Sequence, residues 1–217
     1  MKRTHLQVAC AALALAVVPP LAAQNPSIGV RAGVNYASVA GSHAPDAANH
    51  TGIVLGAYAV AKVRSTVFLV PEILYSQKGA EIMDDLVNGV MKVDYIEMPL
   101  LIQFRPPARV GPMLPFVQAG PTIAIRARCR IDRGESGGGD ADCAETESSF
   151  PIRELDYGVA AAAGVEATFA SAAISVEGRY THGLRKMSPL GHDIHNSVFS
   201  LMLGVRTKSA TRVVAAR

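Results

Sequence analysis

Arg31, Glu72, Glu97, Arg126, Glu166, Glu177 and Arg179 each stand among apolar neighbours in short segments that alternate between polar and apolar residues. Acids and bases spaced in this way can line a charge-selective pore or a binding site, or they can hold one another as buried ion pairs. Cys129 and Cys143 flank Gly137-Gly138-Gly139 and offer a disulfide. His43, His50, His182, His192 and His195, with Asp193, contain the donor types that zinc or copper takes, and Ser188 with His192 or His182 contains a nucleophile and a base. The histidine spacing matches no ordinary ligand motif, and no nucleophile motif surrounds the serine. No catalytic residue, metal site or cofactor is therefore assigned, and the chain is read as a non-enzyme.

What positions these groups depends first on compartment. Lys2 and Arg3 precede an apolar run from Leu6 to Val18, and Leu21-Ala22-Ala23 ends it with small residues, the pattern of an export signal cleaved after about Ala23. Cys10 lies inside the apolar run with Gln7 three residues earlier, a poor lipidation site. Loss of Lys2 and Arg3 takes the formal net charge from +3 to about +1, so overall basicity makes no case for nucleic acid or anionic lipid. The chain divides into a signal peptide (1–23), a barrel domain (24–207) and a basic tail (208–217).

Period-two alternation predicts eight strands, near 27–36, 52–63, 66–77, 92–104, 114–127, 155–169, 172–182 and 196–207. In the first, Ile28, Val30, Ala32, Val34 and Tyr36 oppose Gly29, Arg31, Gly33 and Asn35; in the fourth, Ile96, Met98, Leu100, Ile102 and Phe104 oppose Glu97 and Gln103. The run Gly158 to Val176 is apolar enough to imitate a membrane helix, yet Glu166 near its centre would cost about 2.5 kcal/mol or more there. Two strands turning at Ala170-Ser171 fit better.

Connections 37–51, 78–91, 128–154 and 183–195 are long and polar, whereas 64–65, 105–113 and 170–171 are shorter. An even number of strands with this alternation describes an all-β, eight-stranded antiparallel up-and-down transmembrane β-barrel, with short turns on the periplasmic side and long loops outside. Tyr36, Tyr75, Tyr157 and Tyr180 fall near the outer strand ends and Phe104 and Phe169 near the inner ends, all on the apolar face, as two interfacial girdles would require. Phe68, Tyr95 and Phe116 point inward.

An eight-stranded barrel leaves an interior barely wide enough for side chains to fill. The inward charges, Arg206 among them, are accordingly read as a structural salt-bridge network rather than a conduit. Strands three and four bring Glu72 near Glu97, and Arg31 or Arg179 from across the lumen supplies the cation. An oxidising compartment and an even count favour a Cys129–Cys143 bridge in the longest outer loop, worth about 3 kcal/mol for a loop of about fifteen residues.

The run Val70-Pro71-Glu72-Ile73-Leu74-Tyr75-Ser76-Gln77-Lys78-Gly79 resembles the PorT-like outer-membrane β-barrel family. So do Tyr95-Ile96-Glu97-Met98-Pro99-Leu100-Leu101, Phe116-Val117-Gln118-Ala119-Gly120-Pro121, and the stretch from Gly164-Val165-Glu166 through Glu177-Gly178-Arg179-Tyr180 to Gly183-Leu184. The resemblance covers nearly all of the mature chain. It implies an eight-stranded barrel in the outer membrane of a Gram-negative bacterium, with no settled biochemical activity for most members. One departure is the basic tail from Lys208 to Arg217, where many outer-membrane proteins end in an aromatic residue.

Two other classes stay open: a small outer-membrane lipid-modifying enzyme, and a soluble lipocalin-like carrier whose faces would be inverted, apolar inside and polar outside. The partners expected are outer-membrane lipid, the barrel-assembly machinery during insertion, and a protein at the outer loops, with no nucleic acid.

Overall fold

A computed structural model describes residues 26–40, 48–84, 87–133, 138–142, 154–185 and 195–207. Among the described residues there are nine strands: β1 Ser27–Ala40, β2 Ala48–Lys62, β3 Val67–Asp84, β4 Val87–Phe104, β5 Met113–Arg133, β6 Gly138–Asp142, β7 Leu155–Thr168, β8 Ala172–Gly183 and β9 His195–Thr207. Eight of them pair in the antiparallel order β1-β2-β3-β4-β5-β7-β8-β9, and β1 pairs back to β9, so the sheet closes on itself. β6 pairs with β5 alone. Closure removes the unpaired edges that an open sheet would present.

The expected strands are all present, but five run further than alternation predicts: β1 to Ala40, β2 from Ala48, and β3, β4 and β5 furthest. β3, β4 and β5 continue through much of 78–91 and past 128, which had been read as loops, and pair with one another in full ladders such as Gln77↔Asp94 to Asp84↔Val87. Polar composition had disguised them, because a strand beyond the apolar band has no lipid to face. Cys129 therefore lies within β5 and not in a loop. The 158–176 run is the β7–β8 hairpin, its turn closed by Phe169 N–H donating to the Ala172 carbonyl at 2.8 Å.

Tight turns join the strands at one end. Between β4 and β5, Gly111 adopts φ +61° and is followed by Pro112, while Val110 and Met113 exchange both backbone hydrogen bonds. That is the left-handed first position of a hairpin turn, which glycine alone takes freely.

Proline is ordinarily excluded from central strands because it donates no ladder hydrogen bond. Here Pro71, Pro99 and Pro121 occur in three neighbouring strands, and the ladders skip rungs beside each. The β2–β3 ladder passes from Tyr58↔Glu72 to Ala61↔Leu69, β3–β4 from Leu74↔Glu97 to Pro71↔Leu100, and β4–β5 from Pro99↔Thr122 to Ile102↔Ala119. The β1–β9 ladder is unbroken from Gly29 to Ala40.

Side chains sort by parity. Ile28, Val30, Leu55, Ile73, Ile102, Val117, Val159, Val176, Leu201, Leu203 and Val205 are exposed on the outer surface, while Arg31, Glu72, Glu97, Gln118, Glu166, Glu177 and Arg179 are buried inside. Apolar residues that ring the whole barrel exceed any patch that a soluble monomer leaves in water. The carrier reading fails on this point, since it needs the opposite faces. Two of the inward aromatics have glycine as a cross-strand partner: Tyr58 faces Gly29 and Phe116 faces Gly164. A Cβ at Gly164 would lie 2.5 Å from the Phe116 ring.

Candidate functional site

The interior is built in layers, each assembled from residues two apart on neighbouring strands. At the end with tight turns, Glu166 on β7 is held by two guanidinium groups. Arg206 on β9 donates to it from Nη2 at 2.6 Å and Nε at 2.9 Å, and Arg105 from Nη1 at 3.0 Å and Nη2 at 3.3 Å. Arg105 belongs to the β4–β5 turn, yet its side chain folds back into the lumen across the Phe68 ring, 4.5 Å from the centroid. Arg206 also donates to Ser27 Oγ at 2.9 Å.

The middle layer holds four charges of zero net sign. Arg179 on β8 grips Glu72 on β3 with two parallel hydrogen bonds of 2.8 and 2.9 Å, and its Nε donates to Glu177 at 2.8 Å. Arg31 on β1 reaches both carboxylates at 3.0 Å and stacks over the Tyr58 ring at 4.0 Å. Gln118 donates to Glu177 and accepts from Gln103, which in turn accepts from Arg105 Nε. One network thus runs from Glu166 to Glu72. Doubly bonded guanidinium–carboxylate pairs are the strong form of this interaction and fix orientation as well as charge.

Above this layer, towards the opposite end, Lys78 pairs with Glu97 and lies 5.2 Å from the Tyr95 ring centroid. Asn35 donates to Ser76 Oγ at 2.9 Å and accepts from Ser200 at 2.7 Å, joining β1, β3 and β9. Two cavities of about 10 Å³ flank the Lys78–Glu97 pair. Each has room for about one water molecule. The packed middle layer lies directly beneath them.

Arg31, Glu72, Glu166, Glu177 and Arg179 lie in one connected network, and Glu97 stands apart from it. Register sets Glu97 opposite Leu74, with Glu72 two residues further along β3. Both arginines go to Glu72, and Glu97 takes Lys78 instead. Lys78 was missed because it had been assigned to a loop; its parity with Ser76, Leu74 and Glu72 was the available signal. Arg105 was missed because two prolines follow it. Arg126 is half-buried on β5 opposite Tyr95, its N–H bonded to the Glu154 carbonyl, and a bulge next to it shifts the register so that Asp94 faces Arg128. Cys129 is buried against Val93, Tyr95 and Ala124, whereas Cys143 lies outside the described residues.

Of the girdle residues, Tyr36, Phe104, Tyr157, Phe169 and Tyr180 are exposed on the outer face, and Tyr75 is half-buried. Phe199 joins them: it stands opposite Tyr36 on one side and Tyr180 on the other, forming an aromatic row across β1, β9 and β8. The Tyr36 and Phe199 rings are 6.5 Å apart. His182 is half-buried with its ring stacked near Tyr180, and His50 lies at the far end of β2. His43, Ser188, His192 and Asp193 lie outside the described residues, as does His195 beyond its backbone.

A family profile described as outer membrane protein beta-barrel domain matches residues 22–188. A search of curated proteins gives no match. Among solved structures, the chain is similar to the outer membrane protein OprG from Pseudomonas aeruginosa, at 14% identity and a TM-score of 0.53, covering 85% of this chain and 96% of that one. It is also similar to Neisserial surface protein A, at 14% identity and 0.49, covering 83% and 96%. The Escherichia coli outer membrane protein W aligns at 17% identity and 0.44, covering 84% and 98%. At 14% identity the likeness to OprG speaks to fold alone.

Proposed function

Because the chain belongs to the outer membrane protein beta-barrel domain family, we propose that it is an integral outer-membrane protein without enzymatic activity, its barrel a sealed anchor and its outer loops the surface that meets a partner. The observation that carries this reading is the distribution of side chains: lipid-compatible residues around the whole outer face, and an interior filled by paired charges. A lumen filled in this way leaves the loops as the part of the molecule free to vary in function.

In this reading residues 1–23 are an export signal cleaved after Ala23, 24–207 the barrel and 208–217 a tail. The tight turns face the periplasm, consistent with tyrosines and Phe199 at one rim and Phe104 and Phe169 at the other. The PorT-like kinship rests on the segments around Glu72, Glu97, Gln118 and Glu177. Lipid surrounds the barrel, assembly machinery inserts it, and a protein partner binds at the loops; nucleic acid has no place in the scheme.

Cys129 and Cys143 form a bridge in the same proposal. The β5–β6 ladder pairs Arg130 with Asp142 and Ile131 with Ala141, and each cysteine is the next residue in sequence beyond the first of these pairs. This adjacency in sequence to a paired rung is what supports the bridge. Intact mass should rise by two hydrogens on reduction; two alkylatable thiols without reductant would contradict the bridge.

Cell fractionation with heat-modifiable gel mobility tests the whole reading. The folded chain should appear in the outer-membrane fraction and migrate differently before and after boiling. Exchange of the outer loops for those of another small barrel should leave that mobility change intact while abolishing partner binding. Absence from the outer-membrane fraction would overturn the proposal.

A further inference from the structure

The small net charge, +3 for the full chain and about +1 without Lys2 and Arg3, conceals a segregation. Segments 24–30, 62–68, 104–114, 167–174 and 205–217 contain no aspartate or glutamate, yet they contain Lys62, Arg64, Arg105, Arg109, Arg206, Lys208, Arg212 and Arg217. The topology brings all the described parts of these segments to one end of the barrel, the end with tight turns. Among the described residues, one carboxylate side chain reaches them, Glu166, and it is consumed inside by Arg105 and Arg206, two cations to one anion. Lys62, Arg64 and Arg109 are exposed, and no ion pair is made by them among the described residues.

These three cations stand directly beside exposed apolar side chains. Val63 lies between Lys62 and Arg64, Val110 follows Arg109, and Phe104, Met113 and Phe169 complete the apolar rim. Long cationic side chains can lay their stems on such a rim and project their charge outward. At the edge of a hydrocarbon layer, what lies there is the phosphate of lipid headgroups. We infer that this end of the barrel is a binding rim for the phosphates of anionic glycerophospholipids in the leaflet it meets, with Lys62, Arg64 and Arg109 as the contacting residues. The inference rests on the membrane-barrel reading above. Each cation near an anionic lipid surface contributes about a fivefold preference, so the three together should give roughly a hundredfold.

The test uses the full mature chain folded into vesicles of phosphatidylcholine alone and of equal parts phosphatidylcholine and phosphatidylglycerol, with heat-modifiable mobility verifying insertion in each. Wild type should unfold at a higher temperature in the mixed vesicles, and the gain should shrink with added salt. The variant Lys62→Gln, Arg64→Gln, Arg109→Gln should match wild type in phosphatidylcholine and lose most of the gain in the mixture. A variant that keeps the gain, or a wild type indifferent to phosphatidylglycerol, would overturn the rim. If inorganic phosphate added to phosphatidylcholine vesicles reproduced the gain, the site would be one for free anions and the lipid assignment would fall. A chain that inserts into neither vesicle would instead overturn the barrel reading, and this inference with it.

Discussion

Glu72→Ala should destabilise the folded barrel by about 3–5 kcal/mol, the usual penalty for removing one partner from a buried ion pair. Glu72 accepts two hydrogen bonds from Arg179 and is ion-paired with Arg31 at 3.0 Å, and its side chain is wholly hidden from solvent. Its loss leaves two guanidinium groups sharing Glu177 in a space with no room for much water. The excess positive charge, more than the missing contacts, sets the size of the effect. Removing a charge of each sign should hurt less: Arg31→Met combined with Glu72→Ala leaves Arg179 with Glu177, a neutral pair, and should cost less than the sum of the two single variants by about 0.5–3 kcal/mol. Urea unfolding of the vesicle-folded protein, followed by gel mobility since the chain has no tryptophan, measures both. Strict additivity, or a loss under about 1 kcal/mol for Glu72→Ala, would mean that the network is not what holds the interior together.

Leu203→Arg should destabilise by about 2–4 kcal/mol in a bilayer, the range for a cation on the lipid face at mid-depth. Leu203 lies on β9 midway between Phe199 and Thr207, is 60% exposed, and is flanked by Ala32 of β1 and Val176 of β8 on the same face. The adjacent Met202 points inward and packs with Val54 and Leu74, so the two residues separate the faces at a single level. The magnitude discriminates between environments. On a water-facing surface the same substitution would be within about 0.5 kcal/mol of neutral. Equilibrium folding into vesicles of Leu203→Arg and wild type gives the comparison, and equal stabilities would remove the lipid from around β9.

Much of this architecture was legible from alternation alone. A residue's parity sorts Arg31, Glu97, Glu177 and Arg179 onto one face and Ile28, Leu203 and Tyr180 onto the other without any knowledge of pairing, and the membrane reading, not the alternation, says that the charged face is inside. Register was not legible, because alternation is unchanged by a shift of two residues along a strand. That is why Glu72 and Glu97 were brought together when Glu97 in fact meets Lys78. Strand length was hidden for a different reason. β3 and β4 continue past the apolar band, where polar residues on both faces look like loop. Arg105 illustrates a third limit: its backbone belongs to a turn, as Pro106 and Pro107 indicate, but its long side chain returns to the lumen and stacks on Phe68. The cationic rim was invisible to a net charge and became apparent only when topology gathered separate segments at one end.

The central claim is that the charges inside this barrel form a plug and not a pathway, and single-channel recording in a planar bilayer tests it most directly. Mature protein inserted in the membrane should give no steady current steps above the lipid leak, in either polarity. Stable open steps with an ion preference that changes on Glu97→Gln would show a conducting lumen and contradict the account.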